Sequence, residues 1–455
     1  VWYTQRADYR GMVGCVLGNG TVNEPESFTT YGMSTLIYEH PALDLPEMQP
    51  IDLAFTDDAA NPVATVNRVG SASARAADRA LCLPIQLTLL HDLNADLKAA
   101  LIVQNELGWT IASADAVFAT ANQRTSAGAA VGDLLTAYPL LRLPYGAASG
   151  DYRVFLRLYD QTAALSGYNP IRAGQIISGR DALLTPWTAL PGADWAEVNR
   201  VTEVPNERHL VISDDLTLLA DNLTGGALAN GEEIRAELLW QGTGALPSLQ
   251  LVDEAGEWQI DVPTRLNQHD EITLDWRVLR VPPDAGDGAA VLRLADGTVL
   301  ARYRVEALSM MTEVPAFATA VNVPFPGVGE LVGYTLDQPQ ISREQASSVS
   351  LIWRAGDAVI PLGYTVTVQL IDESGQVIGQ SDAIPGGRPT TGWRAGEYIV
   401  DPHTLTYNQT IPSGKARLIV GLYDAQTGDR VHLADGAEAL TLMTGLEIQQ
   451  RAGED

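Results

Sequence analysis

One pattern, repeated three times, constrains this chain more than any other feature it carries. In the last copy Val349-Ser350-Leu351-Ile352-Trp353 forms a short run, and Tyr364-Thr365-Val366-Thr367-Val368-Gln369-Leu370-Ile371 alternates into the turn Asp372-Glu373-Ser374-Gly375. Trp393 and Pro412-Ser413-Gly414 follow, then the run from Ala416 to Asp424. The middle copy keeps the order: Glu237 to Trp240, Leu249 to Val252 into Asp253-Glu254-Ala255-Gly256, Trp276, Pro282-Pro283, and Ala290 to Leu294. The first copy is more worn, with Ile85 to Leu89, Ala100 to Gln104 into Asn105-Glu106-Leu107-Gly108, Pro144, and Tyr152 to Asp160. Apolar and polar residues that trade places along such runs mark strands with one buried face.

About seven short strands in roughly 100 residues is the signature of an antiparallel β-sandwich. The predicted fold is therefore all-β, with three tandem antiparallel Ig-like β-sandwich domains over residues 51–190, 191–315 and 316–448. Residues 1–50 read differently, as a small N-terminal α/β appendage. Thr4 to Leu17 has helical spacing, with Tyr9, Met12, Val13 and Val16 on one face, and Ser34 to Tyr38 reads as a strand. Links between modules are predicted within Leu183 to Pro205 and Thr312 to Val328, where Pro is present and alternation is weak.

The repeated residues have mechanical readings. Asp or Asn opens a turn and Gly supplies positive φ, so Glu106, Glu254 and Glu373 read as members of hairpin turns and not as acids or bases. Trp240 and Trp353, each ending an inward-facing strand, read as core plugs between sheets.

Length and charge narrow the field. The 455 residues exceed one typical domain, and 29 basic against 56 acidic residues leave a charge of −27, a field that repels phosphate backbones and excludes nucleic acid as a partner. Lys98 and Lys415 are the two lysines. Two cysteines, Cys15 and Cys82, exclude a disulfide-dense scaffold and a four-cysteine zinc site and leave one bridge open. No run of roughly 18 to 20 apolar residues is present, so any membrane attachment is expected only through a segment absent from this sequence. That Val1 and not Met begins it reads as processing or truncation. Asn-x-Thr sequons start at Asn19, Asn222 and Asn408.

Catalytic motifs are missing. His40, His91, His209, His269, His403 and His432 stand singly and read as surface or turn residues, and there is no Gly-x-Ser-x-Gly elbow, phosphate loop, dinucleotide fingerprint or Cys-x-x-Cys. No catalytic residue and no cofactor is assigned. Asp92 to Val103 fails as an EF-hand, with Leu97 where Gly belongs and Val103 where Glu belongs. The acidic turns at Asp57-Asp58 and Asp284-Ala285-Gly286-Asp287-Gly288 are the calcium candidates, set against the plainer reading of solvated turns. Loop tryptophans Trp187, Trp195, Trp258 and Trp393 are considered for a sugar-binding strip, with Trp258 and Trp393 as the glycan candidates against a reading as core.

The C-terminal copy resembles a known group. Tyr364 to Gly375, Gly386-Gly387-Arg388-Pro389-Thr390, Trp393-Arg394-Ala395-Gly396-Glu397, Asp401-Pro402-His403, Pro412-Ser413-Gly414 and Val420 to Asp424 resemble the extracytoplasmic β-sandwich regions at the C-termini of bacterial membrane glycosyltransferases of the dolichyl-phosphate mannosyltransferase-like class. Asp8 to Val13 and Tyr31 to Pro46 resemble the small α/β segment after their last membrane helix. The catalytic carboxylates of that class belong to a membrane portion this chain lacks, so the resemblance implies an outward-facing accessory region.

Three readings follow. The first is a non-catalytic cell-envelope protein at the surface or in the periplasm, its sandwiches acting as spacer and interaction modules toward other envelope proteins or copies of itself. The second is the accessory region of a membrane glycosyltransferase, and the third a carbohydrate-binding module.

Overall fold

A computed structural model of the chain describes residues 47–57, 61–70, 80–160, 204–267, 269–338, 340–341, 346–373, 375, 377–407, 414–425 and 428–448, with shorter runs within 2–39 and 162–189. The chain divides into two compact units. One comprises Val1–Ala220, Leu238–Gly244 and Leu266–Asp275, the other Asp221–Glu237, Ala245–Arg265 and Trp276–Asp455.

Four short strands come first: β1 (Trp2–Tyr3), β2 (Thr21–Val22), β3 (Phe28–Thr30) and β4 (Met33–Glu39), with β4 antiparallel to each of the others. The strand predicted over Ser34 to Tyr38 is β4. Of the helix predicted over Thr4 to Leu17, only Cys15 is described; it is helical and buried, and the rest lies outside the described residues. Among the described residues every other regular element is a strand or a short 3-10 turn, which makes them all-β; of the helical part of the expected α/β appendage nothing beyond Cys15 lies within the described residues.

The next strands are β5 (Met48–Thr56), β6 (Pro62–Gly70), β7 (Ala80–Cys82), β8 (Ile85–Leu89), β9 (Leu97–Gln104), β10 (Thr110–Val117), β11 (Leu134–Ala137), β12 (Leu140–Arg142), β13 (Gly150–Asp160), β14 (Asn169–Arg172), β15 (Gln175–Ile176) and β16 (Asp181–Ala189). They form a six-stranded sheet in the order β11-β8-β6-β5-β14-β15, a four-stranded sheet β10-β9-β13-β16 and the ribbon β12-β7. A second group follows: β17 (Asn206–Ser213), β18 (Leu216–Asp221), β19 (Gly226–Ala229), β20 (Glu233–Gly242), β21 (Leu249–Asp253), β22 (Gln259–Val262), β23 (Ile272–Arg280), β24 (Gly288–Leu294) and β25 (Val299–Glu306). Its sheets are β17-β18-β20-β23 and β19-β25-β24-β21-β22. The third group holds β26 (Thr319–Phe325), β27 (Gly329–Leu336), β28 (Gln340–Ile341), β29 (Ser348–Ala355), β30 (Tyr364–Asp372), β31 (Val377–Ala383), β32 (Tyr398–Thr404), β33 (Thr406–Tyr407), β34 (Gly414–Asp424) and β35 (Leu440–Ile448). Its sheets are β26-β27-β29-β32 and β28-β35-β34-β30-β31-β33.

The second and third groups share one plan. Taken in chain order, β17, β18, β20 and β23 correspond to β26, β27, β29 and β32, and the other sheet agrees as far as an edge strand that is parallel in both, β19 on β25 and β28 on β35. The first group repeats it without the parallel edge: β5, β6, β8 and β11 lie in the order of β17, β18, β20 and β23, and β16-β13-β9-β10 matches β25-β24-β21-β22. The sequence echoes fall in equivalent places, on β8, β20 and β29, on β9, β21 and β30, and on β13, β24 and β34.

Alternation builds the cores. β21 reads buried, half-buried, buried along Leu249–Asp253, and β9 keeps Leu97, Ala99, Leu101 and Val103 inside. In the third group one apolar cluster joins both sheets, with Leu331, Leu351 and Trp353 from one and Val366, Val368, Leu418, Val420 and Leu422 from the other. Stretches predicted as links contain strands: β16 occupies Asp181–Ala189 and β26 Thr319–Phe325. Residues of β26 are mostly exposed, so no buried face was there to be read from its sequence.

Candidate functional site

The sequence candidates sit in turns and cores. Asp57 closes the β5–β6 turn, its carboxylate accepting the Asn61 backbone N–H at 2.8 Å and the Asn61 amide at 2.9 Å; Asp58 lies outside the described residues. Asp284 and Asp287 are exposed, and Asp287 accepts the Ala307 N–H at 2.9 Å. Among the described residues no group of three or more His, Cys, Asp or Glu side chains is arranged to hold a metal ion. Trp258 is half-buried, whereas Trp393 is 5% exposed and lies with its ring 6.3 Å from that of Trp353. Trp187, Trp240 and Trp353 are buried; Trp195 lies outside the described residues. Asn222, the described sequon, uses its side chain on the Arg235 carbonyl and the Glu237 N–H. Asn19 and Asn408 lie outside the described residues.

The turn motifs behave alike in all three copies. Asn105 accepts the N–H groups of Leu107 and Trp109 at 3.0 Å each, and Asp253 accepts that of Glu257. Gly108, Gly256 and Gly375 have φ of 79°, 80° and 89° and donate back to the carbonyls of Asn105, Asp253 and Asp372. Glu254 is paired with Arg302 at the surface.

Sequence reasoning placed the histidines on surfaces or turns, and His403 departs from that. Positions 399, 401 and 403 share the inward phase of β32, which carries Asp401 and His403 into the third core at 1% and 2% exposure. Asp401 then engages three partners, two from distant segments and one two residues along its own strand. Its Oδ2 accepts the Trp353 indole N–H at 3.0 Å and lies 3.0 Å from His403 Nε2, and its Oδ1 accepts the Gly386 N–H at 2.8 Å. The other ring nitrogen of His403 lies 3.0 Å from Ser381 Oγ on β31, which belongs to the facing sheet. Ser, His and Asp thus stand in the order of a hydrolytic triad. Yet the carboxylate is shared with an indole and a main-chain N–H, and the imidazole side chain is fully buried. Two open depressions in this group, one around Gly327 to Gly329 and Gly356, the other around Glu373, Lys415 and Gly445, are lined by none of the three residues. The arrangement ties two sheets together through Ser381 on β31 and His403 on β32.

A second polar cluster is formed by the β31–β32 loop, all of it within the second unit. Arg388 clamps Glu397 through two bonds of 2.5 and 3.1 Å and donates to the Gly392 carbonyl at 2.6 Å. Glu397 is fully buried and also accepts the Arg394 N–H at 3.0 Å. Burial pushes the Glu397 carboxyl up, but the Arg388 hydrogen bonds, the Arg394 N–H and the Arg388 charge outweigh it and hold the group below the usual carboxylate range. From this loop Thr391 Oγ1 donates to the Gly231 carbonyl at 2.6 Å, and Arg394 donates to the Leu308 carbonyl at 2.6 Å. Sequence reading quoted these residues without pairing them. The signal was there: two arginines and one glutamate within a Gly- and Pro-rich loop around a tryptophan.

The single bridge left open by the sequence is formed. Cys15 and Cys82 are joined, with Cα atoms 5.3 Å apart, inside the usual range for a disulfide.

These features define a multi-domain all-β chain of antiparallel sheet pairs. No protein-family model and no curated protein matches it. Among solved structures it is similar to dimeric latent PorU from Porphyromonas gingivalis, at 11% identity and a TM-score of 0.23, over 91% of this chain and 35% of that one. A mutant alpha-2-macroglobulin from Salmonella matches at 11% identity and 0.17, over 94% and 34%, and domains 4–9 of the surface layer protein SbsC at 11% and 0.15, over 89% and 48%. The chain spans about a third of the length of the first two. Likeness at these scores fixes neither family nor role, and it lends no support to the glycosyltransferase resemblance.

Proposed function

We propose that the chain is an extracytoplasmic, non-catalytic part of a cell-envelope protein, its tandem sheet pairs serving as spacer and interaction modules. One observation carries this reading: the polar groups that chemistry would need are engaged in holding sheets and turns, most clearly Asp401, His403 and Ser381. The calcium and glycan candidates enter it as turn and core residues. The Cys15–Cys82 bridge supports the compartment, because disulfides persist where the surroundings are oxidising. Partners are other envelope proteins or copies of the chain, meeting at sheet edges such as β10 and β26, which end their sheets among the described residues and offer a backbone edge to an incoming strand.

The test is genetic complementation of envelope integrity in the producing cells. Ser381→Ala and His403→Gln chains that keep the wild-type circular dichroism spectrum are expected to complement fully, and a chain lacking one sheet pair is expected to fail. Loss of complementation by folded Ser381→Ala would assign a reaction to that serine and overturn the proposal.

A further inference from the structure

We propose that the Gly386–Glu397 loop is a docking element that recognises the Asn230-Gly231 turn of the preceding sheet pair, and that this clasp makes the third sheet pair and the five-stranded sheet β19-β25-β24-β21-β22 one cooperative body. This goes beyond the envelope reading and stands independently of the compartment. All the groups concerned belong to the second unit.

The approach is main chain on main chain. A Cβ built on Gly231 falls onto the Gly392 backbone, and one built on Gly392 falls onto the Asn230 carbonyl, so neither position admits a side chain without separating the two segments. Gly231 also has φ of 72°, which favours glycine a second time. Around this contact the bonds run from one sheet pair to the other. Thr391, 2% exposed, donates its hydroxyl to the Gly231 carbonyl. Arg280, paired with Glu233 at 2.6 Å, reaches the Pro361 carbonyl at 2.7 Å.

The connecting segment is held from both sides. The Leu308 N–H donates to Asn230 Oδ1 at 2.8 Å, and the Leu308 carbonyl accepts from Arg394 at 2.6 Å. Met311 accepts the Tyr398 N–H at 2.9 Å. Asn230 is itself fully buried, its amide donating to the Ala285 carbonyl at 2.6 Å. A hinge would leave such groups to water; here Thr391 and Arg280 bond across the junction, and Leu308 is held by Asn230 on one side and Arg394 on the other. The buried Arg388–Glu397 pair makes no bond to the preceding sheet pair and acts one step back, shaping the loop that does. The partner this surface fits is therefore a tight turn with glycine in the left-handed region, a presented carbonyl and a buried asparagine behind it.

The test is hydrogen exchange on the full chain in mild denaturant, comparing β24–β25 with β29–β30. Leu351→Ala weakens the third core alone. With the clasp intact it is expected to speed exchange in both regions at least tenfold; combined with Gly392→Ala it is expected to speed exchange in β29–β30 alone, leaving β24–β25 within twofold of the chain carrying Gly392→Ala only. Gly387→Ala, where a Cβ meets nothing within 4 Å and φ is 69°, controls for backbone strain in the same loop and is expected to leave the coupling intact. Thr391→Val supplies the decoupling arm if Gly392→Ala does not fold. Exchange in β24–β25 that ignores Leu351→Ala in the otherwise wild-type chain, or coupling that survives both clasp variants, overturns the proposal.

Discussion

At the residue scale, Asp401 shows how far single positions are decided by distant partners. Removing its carboxylate as Asp401→Ala strands the Trp353 and Gly386 N–H groups, each at a cost of about 1–3 kcal/mol, and the expected loss is read from the urea midpoint. Glu397 gives a pH dependence of definite sign. Because its folded carboxyl titrates below the usual range, the stability it contributes is fully present above the unfolded value and is lost as pH falls through the lower, folded one. Acid unfolding is therefore expected to flatten in Glu397→Gln below about pH 4.3, the ordinary glutamate value, although that variant is less stable at neutral pH. Turn residues such as Asn105, Asp253 and Asp372 were legible because their chemistry is local, within four positions of the groups they bond. The Asp401 cluster was not: Trp353 lies 48 residues away and Ser381 22 from His403, and only the alternation at 401 and 403 hinted that both face inward.

At the element scale, strands with one buried face were readable, and edge strands were not. β21 alternates in sequence and in burial, and β30, whose apolar Val366, Val368 and Leu370 alternate with polar residues in sequence, was found the same way. β26 is exposed along most of its length, its register slips between Ala320 and Val323, and Asn322 sits at φ of 55°, so a bulge breaks the period of two that the reading depends on. β16 carries Pro186 within it and pairs with β13 through a register shift. Hairpin glycines provide a check on the repeat itself. A Cβ at Gly256 or Gly375 meets nothing within 4 Å, so only the left-handed backbone resists a side chain. Gly256→Ala and Gly375→Ala are each expected to cost about 1–2 kcal/mol in urea unfolding, and similar values in the two copies are the signature of one turn used twice.

At the scale of the whole molecule, the repeated blueprint was legible because it is written in patterns that survive divergence: alternation, turn glycines and plugging tryptophans. Of the covalent tie between Cys15 and Cys82 only the possibility was legible, since with two cysteines the partner is fixed but their approach in space is not. It joins the N-terminal segment to β7 across 67 residues, and its loss in Cys82→Ser is expected to lower unfolding free energy by about 2–4 kcal/mol. Function was least legible of all, because the sequence carries no local catalytic motif, and the Ser381, His403 and Asp401 side chains meet only in the folded chain. The claim that it works outside the cytoplasm is tested most directly by trapping thiols with a mass-tagged maleimide as producing cells are lysed directly into denaturant. An outward-facing chain is expected to take up no label until a reductant is added and then two tags, one each at Cys15 and Cys82. Full labelling without reductant would contradict it.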